Sequence, residues 1–138
     1  MAVIVDASVV VKWFVAEALH DEARELLTGR EPLYAPDIVV AEVANAFWVK
    51  VGRGELDEAI ALRNVTALSG DGEPQLRASV PLLPTAFELA RRLAHPVYDC
   101  VYLALAEQRD APLVTADARL ATAPRERSPV RVQLLGSP

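Results

Sequence analysis

The sequence predicts an α/β fold, a three-layer sandwich in which helices flank a mainly parallel sheet of five strands. Short apolar runs without alternating polar residues, such as residues 2–5, are typical of strands buried on both faces. Segments with helical periodicity separate these runs along the whole chain, and such alternation favours right-handed parallel crossovers. With 138 residues, of which 52% are apolar and 24% charged, the chain is predicted to be one domain, 1–138.

The first half of the chain is predicted to hold two strands and four helices. Residues 2–5 form the first strand, a helix starts at Ser8, and an amphipathic stretch then runs to the helix-stop residue Gly29. Residues 33–35 form the second strand. Asp37 can cap a helix that continues to about residue 51, and a further helix covers roughly residues 56–68. Apolar residues at helical spacing give the first of these two helices a predicted core stripe, which comprises Val40, Val43, Ala44, Phe47, Trp48 and Val51.

The second half of the chain starts with a turn segment, residues 69–74, that is rich in Gly, Asp and Pro. A strand at residues 76–80, a helix at about 84–94 and a helix at about 98–109 follow. The last of these is apolar on every face from Cys100 to Ala106, and this predicts that it is buried. Residues 113–115 form the fourth strand, Asp117 starts a short helix, and residues 130–134 form the fifth strand.

Composition and charge exclude several classes of protein. A net charge of −5 and a pI near 5.0 argue against a broad basic surface that would coat nucleic acid. The single cysteine, Cys100, cannot form a disulfide within the chain, and the N-terminal residues lack the pattern of a secretory signal. No stretch approaches the roughly 18 apolar residues of a membrane-spanning helix. We therefore expect a cytoplasmic protein without a membrane anchor.

Four carboxylates occupy positions where parallel α/β folds collect ligand-binding groups. Asp6 and Asp117 each come shortly after a predicted strand, so both are expected at the carboxyl ends of parallel strands. Asp99 begins the buried helix, and Glu42 lies off the core stripe of its helix with Asn45 on its own face. For Asp6 or Asp117 alone, capping of the following helix is the simpler explanation. A solvated glutamate at the edge of a helix is an equal alternative for Glu42.

Convergence of these acids would point to metal-dependent chemistry. Carboxylates that are crowded in a partly dry cleft repel one another, and they take up protons unless a cation neutralises them. Mg²⁺ and Mn²⁺ are hard ions that favour oxygen ligands. Such an ion lowers the pKa of a water, orients it for in-line attack and stabilises charge on the leaving oxygen. Hydrolysis of a phosphodiester is the natural use of such a site.

The sequence resembles PIN-domain proteins, and in particular VapC-type toxin ribonucleases of toxin–antitoxin pairs. The resemblance covers nearly the whole chain, and its first two segments are Val-Ile-Val-Asp-Ala-Ser at 3–8 and Ala-Pro-Asp at 35–37, the latter followed by Glu-Val-Ala-Asn at 42–45. The other two are Pro-Val-Tyr-Asp-Cys-Val-Tyr-Leu-Ala-Leu-Ala-Glu at 96–107 and Leu-Val-Thr-Ala-Asp-Ala-Arg-Leu at 113–120. Each segment is weak alone, but their order and spacing together are fairly specific.

The resemblance implies a catalytic, metal-binding set of acids, formed by Asp6, Glu42, Asp99 and Asp117. It implies Mg²⁺ or Mn²⁺ as the cofactor and RNA as the substrate, with Glu42 joining through water or a second ion. Ser8 and Thr115 match hydroxyl positions of the family and are expected to hydrogen-bond the carboxylates, and Asn45 is expected beside Glu42. The resemblance also implies the strand order 3-2-1-4-5, a homodimer, and inhibition by a small antitoxin encoded beside the gene.

Other function classes fit the sequence less well. A haloacid-dehalogenase-type phosphatase needs a second acid where Ser8 stands, and a dinucleotide-binding domain needs a glycine fingerprint that residues 6–11 lack. His20 and His95 lie in no zinc-ligand spacing, and Ser8 lies in no nucleophile elbow. Two alternatives stay open. A structure-specific DNA nuclease could use the same metal site, because only contacts to the 2′-OH separate RNA from DNA, and a non-catalytic interaction domain could keep the same fold.

Overall fold

One five-stranded sheet organises the protein. The computed structural model describes residues 1–123 and 128–138. The strands are β1 (Val3–Val5), β2 (Leu33–Pro36), β3 (Gln75–Arg77), β4 (Leu113–Thr115) and β5 (Val132–Leu134). They lie in the order β3-β2-β1-β4-β5, and every neighbouring pair is parallel. The predicted α/β class and the strand order implied by the family resemblance are therefore confirmed.

Helices alternate with the strands and cover the sheet. They are α1 (Ala7–Phe14), α2 (His20–Thr28), α3 (Ile38–Gly52), α4 (Glu58–Leu68), α5 (Leu83–Leu93), α6 (Val97–Arg109) and α7 (Ala118–Thr122). Residues 100–106 of α6 are almost entirely buried against α5, β1 and β2, as their apolar faces predict. Among the described residues, none of the helices has the length and apolar character needed to cross a membrane.

The sheet register brings the ends of β1 and β4 together. β1 is the central strand: Ile4 pairs with Tyr34 of β2 on one side and with Leu113 of β4 on the other. Because the strands are parallel, the residues that follow β1 and β4 leave the sheet at the same edge. Asp6 and Asp117 are such residues, and this edge is where open α/β sheets bind their ligands.

Two strand predictions were wrong at their boundaries. β3 ends at Arg77 rather than at Val80, because Ser79 turns toward Asp37 and a one-turn 3₁₀ helix, Val80–Leu82, begins instead. The predicted fifth strand started at residue 130, whereas β5 begins at Val132. In both cases the predicted strand included residues outside the paired register of the sheet.

The predicted core stripe of α3 was wrong at Trp48. The buried residues of this helix are Val39, Val43 and Phe47, at a spacing of four, and Trp48 is 72% exposed. Apolar side chains surround most of α3, so the sequence pattern alone could not select the face that packs on the sheet. Adjacent residues on a helix differ by about 100°, and burial of Phe47 therefore turns Trp48 outward.

The start of α3 is capped from a distance. The Asp37 side chain caps no amide of its own helix, contrary to the prediction, because its backbone is already helical. Instead Asp37 Oδ1 accepts hydrogen bonds from the Ser79 hydroxyl at 2.6 Å and from the Ser79 amide at 3.1 Å. The Ser79 hydroxyl in turn accepts from the Ile38 amide at 3.1 Å, so a residue beyond β3 satisfies this helix end.

Candidate functional site

Asp6 lies at the centre of the candidate site, directly after β1. Its Oδ1 accepts a hydrogen bond from the Ser8 hydroxyl at 2.6 Å and from the Val9 amide at 3.3 Å, which caps α1. Its Oδ2 accepts from the Thr115 hydroxyl at 2.5 Å. Asp6 is only 6% exposed. It thus serves as the predicted helix cap and also lies at the carboxyl edge of the sheet.

Two hydroxyl groups connect Asp6 to the end of β4. The Ser8 hydroxyl accepts from the Ala116 amide at 2.9 Å, and the Thr115 hydroxyl accepts from the Asp117 amide at 3.0 Å. Each hydroxyl therefore accepts a hydrogen bond from the backbone after β4 and donates a hydrogen bond to Asp6. The two oxygens are 3.3 Å apart. This arrangement fixes both oxygens of the Asp6 carboxylate in orientation.

Asp99 approaches from the first turn of α6. Its Oδ2 lies 2.7 Å from Nε2 of His95, which stands four residues earlier in the loop before the helix. Because a carboxylate can only accept, Nε2 is the donor. The His95 amide is itself bonded to the Ala90 carbonyl near the end of α5. The position of Asp99 near a helix N-terminus also favours its negative charge.

Glu42 reaches the site from α3 and is held by a tyrosine. The Tyr102 hydroxyl donates to Glu42 Oε1 at 2.5 Å, and the backbone of Ala7 interacts with the same phenol group. Glu42 is half-buried. Asn45, one turn further along α3, is exposed, and the hydrogen bond that Glu42 makes runs to Tyr102 rather than to Asn45.

Asp117 belongs to the same edge but serves mainly as a cap. Its Oδ1 accepts from the Arg119 amide at 2.9 Å, which caps α7, and lies 3.7 Å from Nε of Arg119. The Arg119 side chain is largely exposed, so this ion pair contributes little stability. The backbone of Asp117 is tied to Asp6 through the Thr115 hydroxyl.

Three of the four acids influence one another's pKa through their charges. Burial raises the pKa of Asp6 from 3.8 to about 6, although hydrogen bonds from two hydroxyls and one amide oppose the rise, and the charge of Asp99 adds to it. Burial also raises the pKa of Glu42; the hydrogen bond from Tyr102 opposes this rise, while Asp99 and Asp6 add to it. Asp6, Glu42 and Asp99 therefore interact with one another electrostatically, whereas the side chain of Asp117, which is about as exposed as that of Asp99, caps α7.

Comparison with known proteins places the chain in a family. The PIN-domain family model matches residues 3–126. The chain belongs to the PIN-domain family. Ribonuclease VapC3 of Pyrobaculum aerophilum is 32% identical over 122 residues, which is 88% of this chain and 93% of that protein. The resemblance to VapC-type PIN-domain proteins is thereby confirmed.

Solved structures share this PIN-domain fold. The crystal structure of PAE2754 from Pyrobaculum aerophilum superposes with a TM-score of 0.71 at 25% identity, and the match covers 96% of this chain and 83% of that one. A toxin–antitoxin complex from Klebsiella pneumoniae contains a chain that matches with a TM-score of 0.63 at 16% identity, covering 87% of this chain and 90% of that one. The second likeness supports the fold alone.

The chemistry of the PIN-domain site fits a hard divalent cation. Its candidate donors are carboxylate oxygens, and burial, which raises the pKa of Asp6, disfavours a negative charge that a bound cation would stabilise. In the described parts of the chain, however, no three His, Cys, Asp or Glu side chains are already grouped so that they could hold an ion. Ion binding would have to draw the carboxylates closer together.

Two residues around the site were not found from the sequence. Tyr102 was predicted only as part of an apolar helix face, and His95 was dismissed because it lies in no zinc-ligand spacing. A signal existed for both, because Tyr102 follows Asp99 by three residues on α6 and His95 precedes Asp99 by four, so each lies about one helical turn from a candidate ligand. Polar groups beside a candidate ligand on the same face are candidates for holding it.

Proposed function

We propose that this PIN-domain chain is an endoribonuclease that depends on Mg²⁺ or Mn²⁺ and acts as the toxin of a type II toxin–antitoxin pair. The observation that carries the proposal is that Asp6, Glu42 and Asp99, three carboxylates from different elements, interact with one another electrostatically around the buried Asp6. A buried surplus of negative charge has no structural benefit of its own, because burial disfavours charged carboxylates. It has a clear use where a doubly charged cation binds.

In this proposal Asp6, Asp99 and Asp117 hold the main ion, and Glu42 joins through water or a second ion. A bound Mg²⁺ or Mn²⁺ supplies charge neutralisation and an acidified water for attack on phosphorus. Ser8 and Thr115 keep the Asp6 carboxylate in one orientation, since both of its oxygens accept hydroxyl protons. No side chain of the chain is assigned as a covalent nucleophile.

Binding of RNA requires that the acidic edge be neutralised first. The chain carries 19 acidic and 14 basic side chains, so its net charge repels a polyanion. Two of the basic side chains, Lys12 and Lys50, already form ion pairs with Glu17. The cation is therefore proposed to contribute to binding of RNA as well as to its cleavage.

The proposed partners are a cognate antitoxin and a second copy of the chain, and the proposed compartment is the cytoplasm. Relatives with VapC names and a neighbour from a toxin–antitoxin complex support the antitoxin. Several large apolar side chains remain exposed and supply surface for protein partners, among them Trp48, Leu62, Phe87 and Tyr98.

The test is incubation of the purified protein with mixed structured RNAs and Mg²⁺. We expect cleavage that EDTA and the Asp6→Asn substitution both abolish, while Asp71→Asn, a substitution on an exposed turn, leaves it intact. Duplex and branched DNA of matched sequence run in parallel. Cleavage of DNA in preference to RNA would favour the structure-specific DNA nuclease, and absence of cleavage from all substrates would favour the interaction domain.

A further inference from the structure

The phenol oxygen of Tyr102 lies where three elements of the site meet. It is contributed by α6, it bonds Glu42 of α3 at 2.5 Å, and it interacts with the backbone of Ala7 at the start of α1. Ala7 directly follows Asp6 in the chain. Tyr102 itself is only 1% exposed. A single buried hydroxyl thus connects the first turn of α1 with the acid of α3.

The direction of the hydrogen bond to Glu42 follows from the groups involved. A carboxylate can only accept, so the phenol hydroxyl is the donor of the bond to Glu42, while the backbone of Ala7 interacts with the same phenol group. The carboxylate accepts that proton through Oε1. Oε2 is then the oxygen that Glu42 can offer to another group. The tyrosine ring cannot swing away from this arrangement, because it is fully buried in the hydrophobic core.

Glu42 needs such a tether because its neighbours repel it. Its side chain has three rotatable bonds, and it lies half-buried at the edge of α3 with the charges of Asp99 and Asp6 nearby. An untethered glutamate in this position would turn toward solvent, where its charge is better hydrated. A hydrogen bond to a charged group is strong enough to oppose that movement.

We propose that Tyr102 is the positioning residue for Glu42, which it holds through Oε1 so that Oε2 acts in the metal site. This inference rests on the proposed function. Tyr102 touches neither substrate nor ion in this arrangement and acts only through the glutamate. Its effect is therefore expected on binding of the ion and on the chemical step, and not on binding of RNA.

The test compares Tyr102→Phe with Tyr98→Phe, a substitution on the same helix at a side chain that is 70% exposed. Binding of Mn²⁺ is measured by calorimetry without RNA, and kcat and KM are measured at saturating Mn²⁺. We expect Tyr102→Phe to weaken Mn²⁺ binding and to lower kcat, each by about 10- to 100-fold, with an unchanged KM for RNA. Tyr98→Phe should leave Mn²⁺ binding unchanged. Wild-type Mn²⁺ affinity and kcat in Tyr102→Phe would overturn the inference.

A double mutant separates positioning from a merely structural role. If Tyr102 acts through Glu42, then adding Tyr102→Phe to Glu42→Ala changes Mn²⁺ affinity and residual cleavage by less than about twofold. An equal loss in both backgrounds would overturn the inference. Should Tyr102→Phe fail to fold, NMR of the otherwise wild-type protein replaces it. The hydroxyl proton of Tyr102 should exchange slowly and should lose this protection in Glu42→Ala; protection that persists would overturn the inference.

The two proposals fail in different ways. A wild-type protein that neither binds Mn²⁺ nor cleaves nucleic acid would overturn the proposed function and this inference together. A wild-type protein that does both, beside a Tyr102→Phe variant that matches it in Mn²⁺ affinity and kcat, would overturn the inference alone.

Discussion

Replacing Asp6 with asparagine should stabilise the metal-free protein while abolishing cleavage of RNA. The pKa of Asp6 rises from 3.8 to about 6, mainly through burial. A raised carboxyl pKa means that the folded state binds the proton more tightly than the unfolded state does. The unfolding free energy of the wild-type protein therefore falls as pH rises from about 4 to about 6, and this penalty is complete above pH 6.

The size of the penalty follows from the shift. A pKa shift of roughly two units, at 1.36 kcal/mol per unit, lowers the free energy of unfolding by about 3 kcal/mol at most. The asparagine of the variant would carry no charge. Its side-chain NH2 group, however, would face one of the two hydroxyls that donate to Asp6 in the wild type, and that hydroxyl would have to become an acceptor. We therefore expect a net gain of about 1–3 kcal/mol at pH 8, or roughly 5–10 °C in Tm for a chain of this size. Near pH 4 the gain should be small.

The assay is thermal unfolding of wild type and variant in EDTA at several values between pH 4 and pH 8, combined with RNA cleavage in Mg²⁺. Asp71→Asn, on an exposed turn, is the control for removal of one negative charge and should shift Tm little at any pH. An Asp6→Asn protein that is less stable than wild type at pH 8 would refute the electrostatic reasoning. Retained cleavage by the same protein would refute the assignment of Asp6 to the site.

Three further predictions concern other parts of the molecule. Burial acts to raise the pKa of Glu17, but hydrogen bonds from Lys50 and Lys12 lower it overall. Glu17→Gln should therefore reduce the free energy of unfolding at pH 7 by up to about 1 kcal/mol, and this loss should shrink as pH falls through the lowered pKa of Glu17, as urea unfolding can show. Phe47→Ala should cost about 3–5 kcal/mol in the same assay, whereas Trp48→Ala should stay within about 0.5 kcal/mol. The inactive Asp6→Asn variant should bind RNA weakly when binding is measured by fluorescence anisotropy. The wild-type protein should bind RNA more tightly in Ca²⁺ than in EDTA. Equal RNA affinity of the wild type in Ca²⁺ and in EDTA would contradict the proposed role of the cation.

The layout of the sheet could be predicted because it depends on local patterns. Short apolar runs and capped helices are visible in the sequence, and a parallel arrangement then places the residues after β1 and β4 at one edge. This is why Asp6 and Asp117 could be placed together without a structure. Burial of α6 could be predicted in the same way, because a helix that is apolar on every face has no polar face to expose to water.

The parts that could not be predicted depend on contacts between distant residues. Ser79 caps α3 across 42 positions of the chain, and Tyr102 bonds Glu42 across 60. No sequence pattern indicates either contact, because each contact depends on how the helices are rotated relative to the sheet. The same rotation decided that Phe47 and not Trp48 faces the core. On a helix that is apolar almost all round, periodicity carries no information about which face is inside.

The two ends of the site are held by different means, and this has a consequence for how it responds to a cation. Asp6 is fixed by hydroxyls that are themselves fixed by the backbone after β4, so it has little freedom to move. Among the residues that the structure describes, Asp99 and Glu42 each have one side-chain hydrogen-bond partner, and both partners come from α6 or the loop before it. The rearrangement that an ion requires is therefore expected at Asp99 and Glu42, while Asp6 acts as the fixed ligand toward which they move.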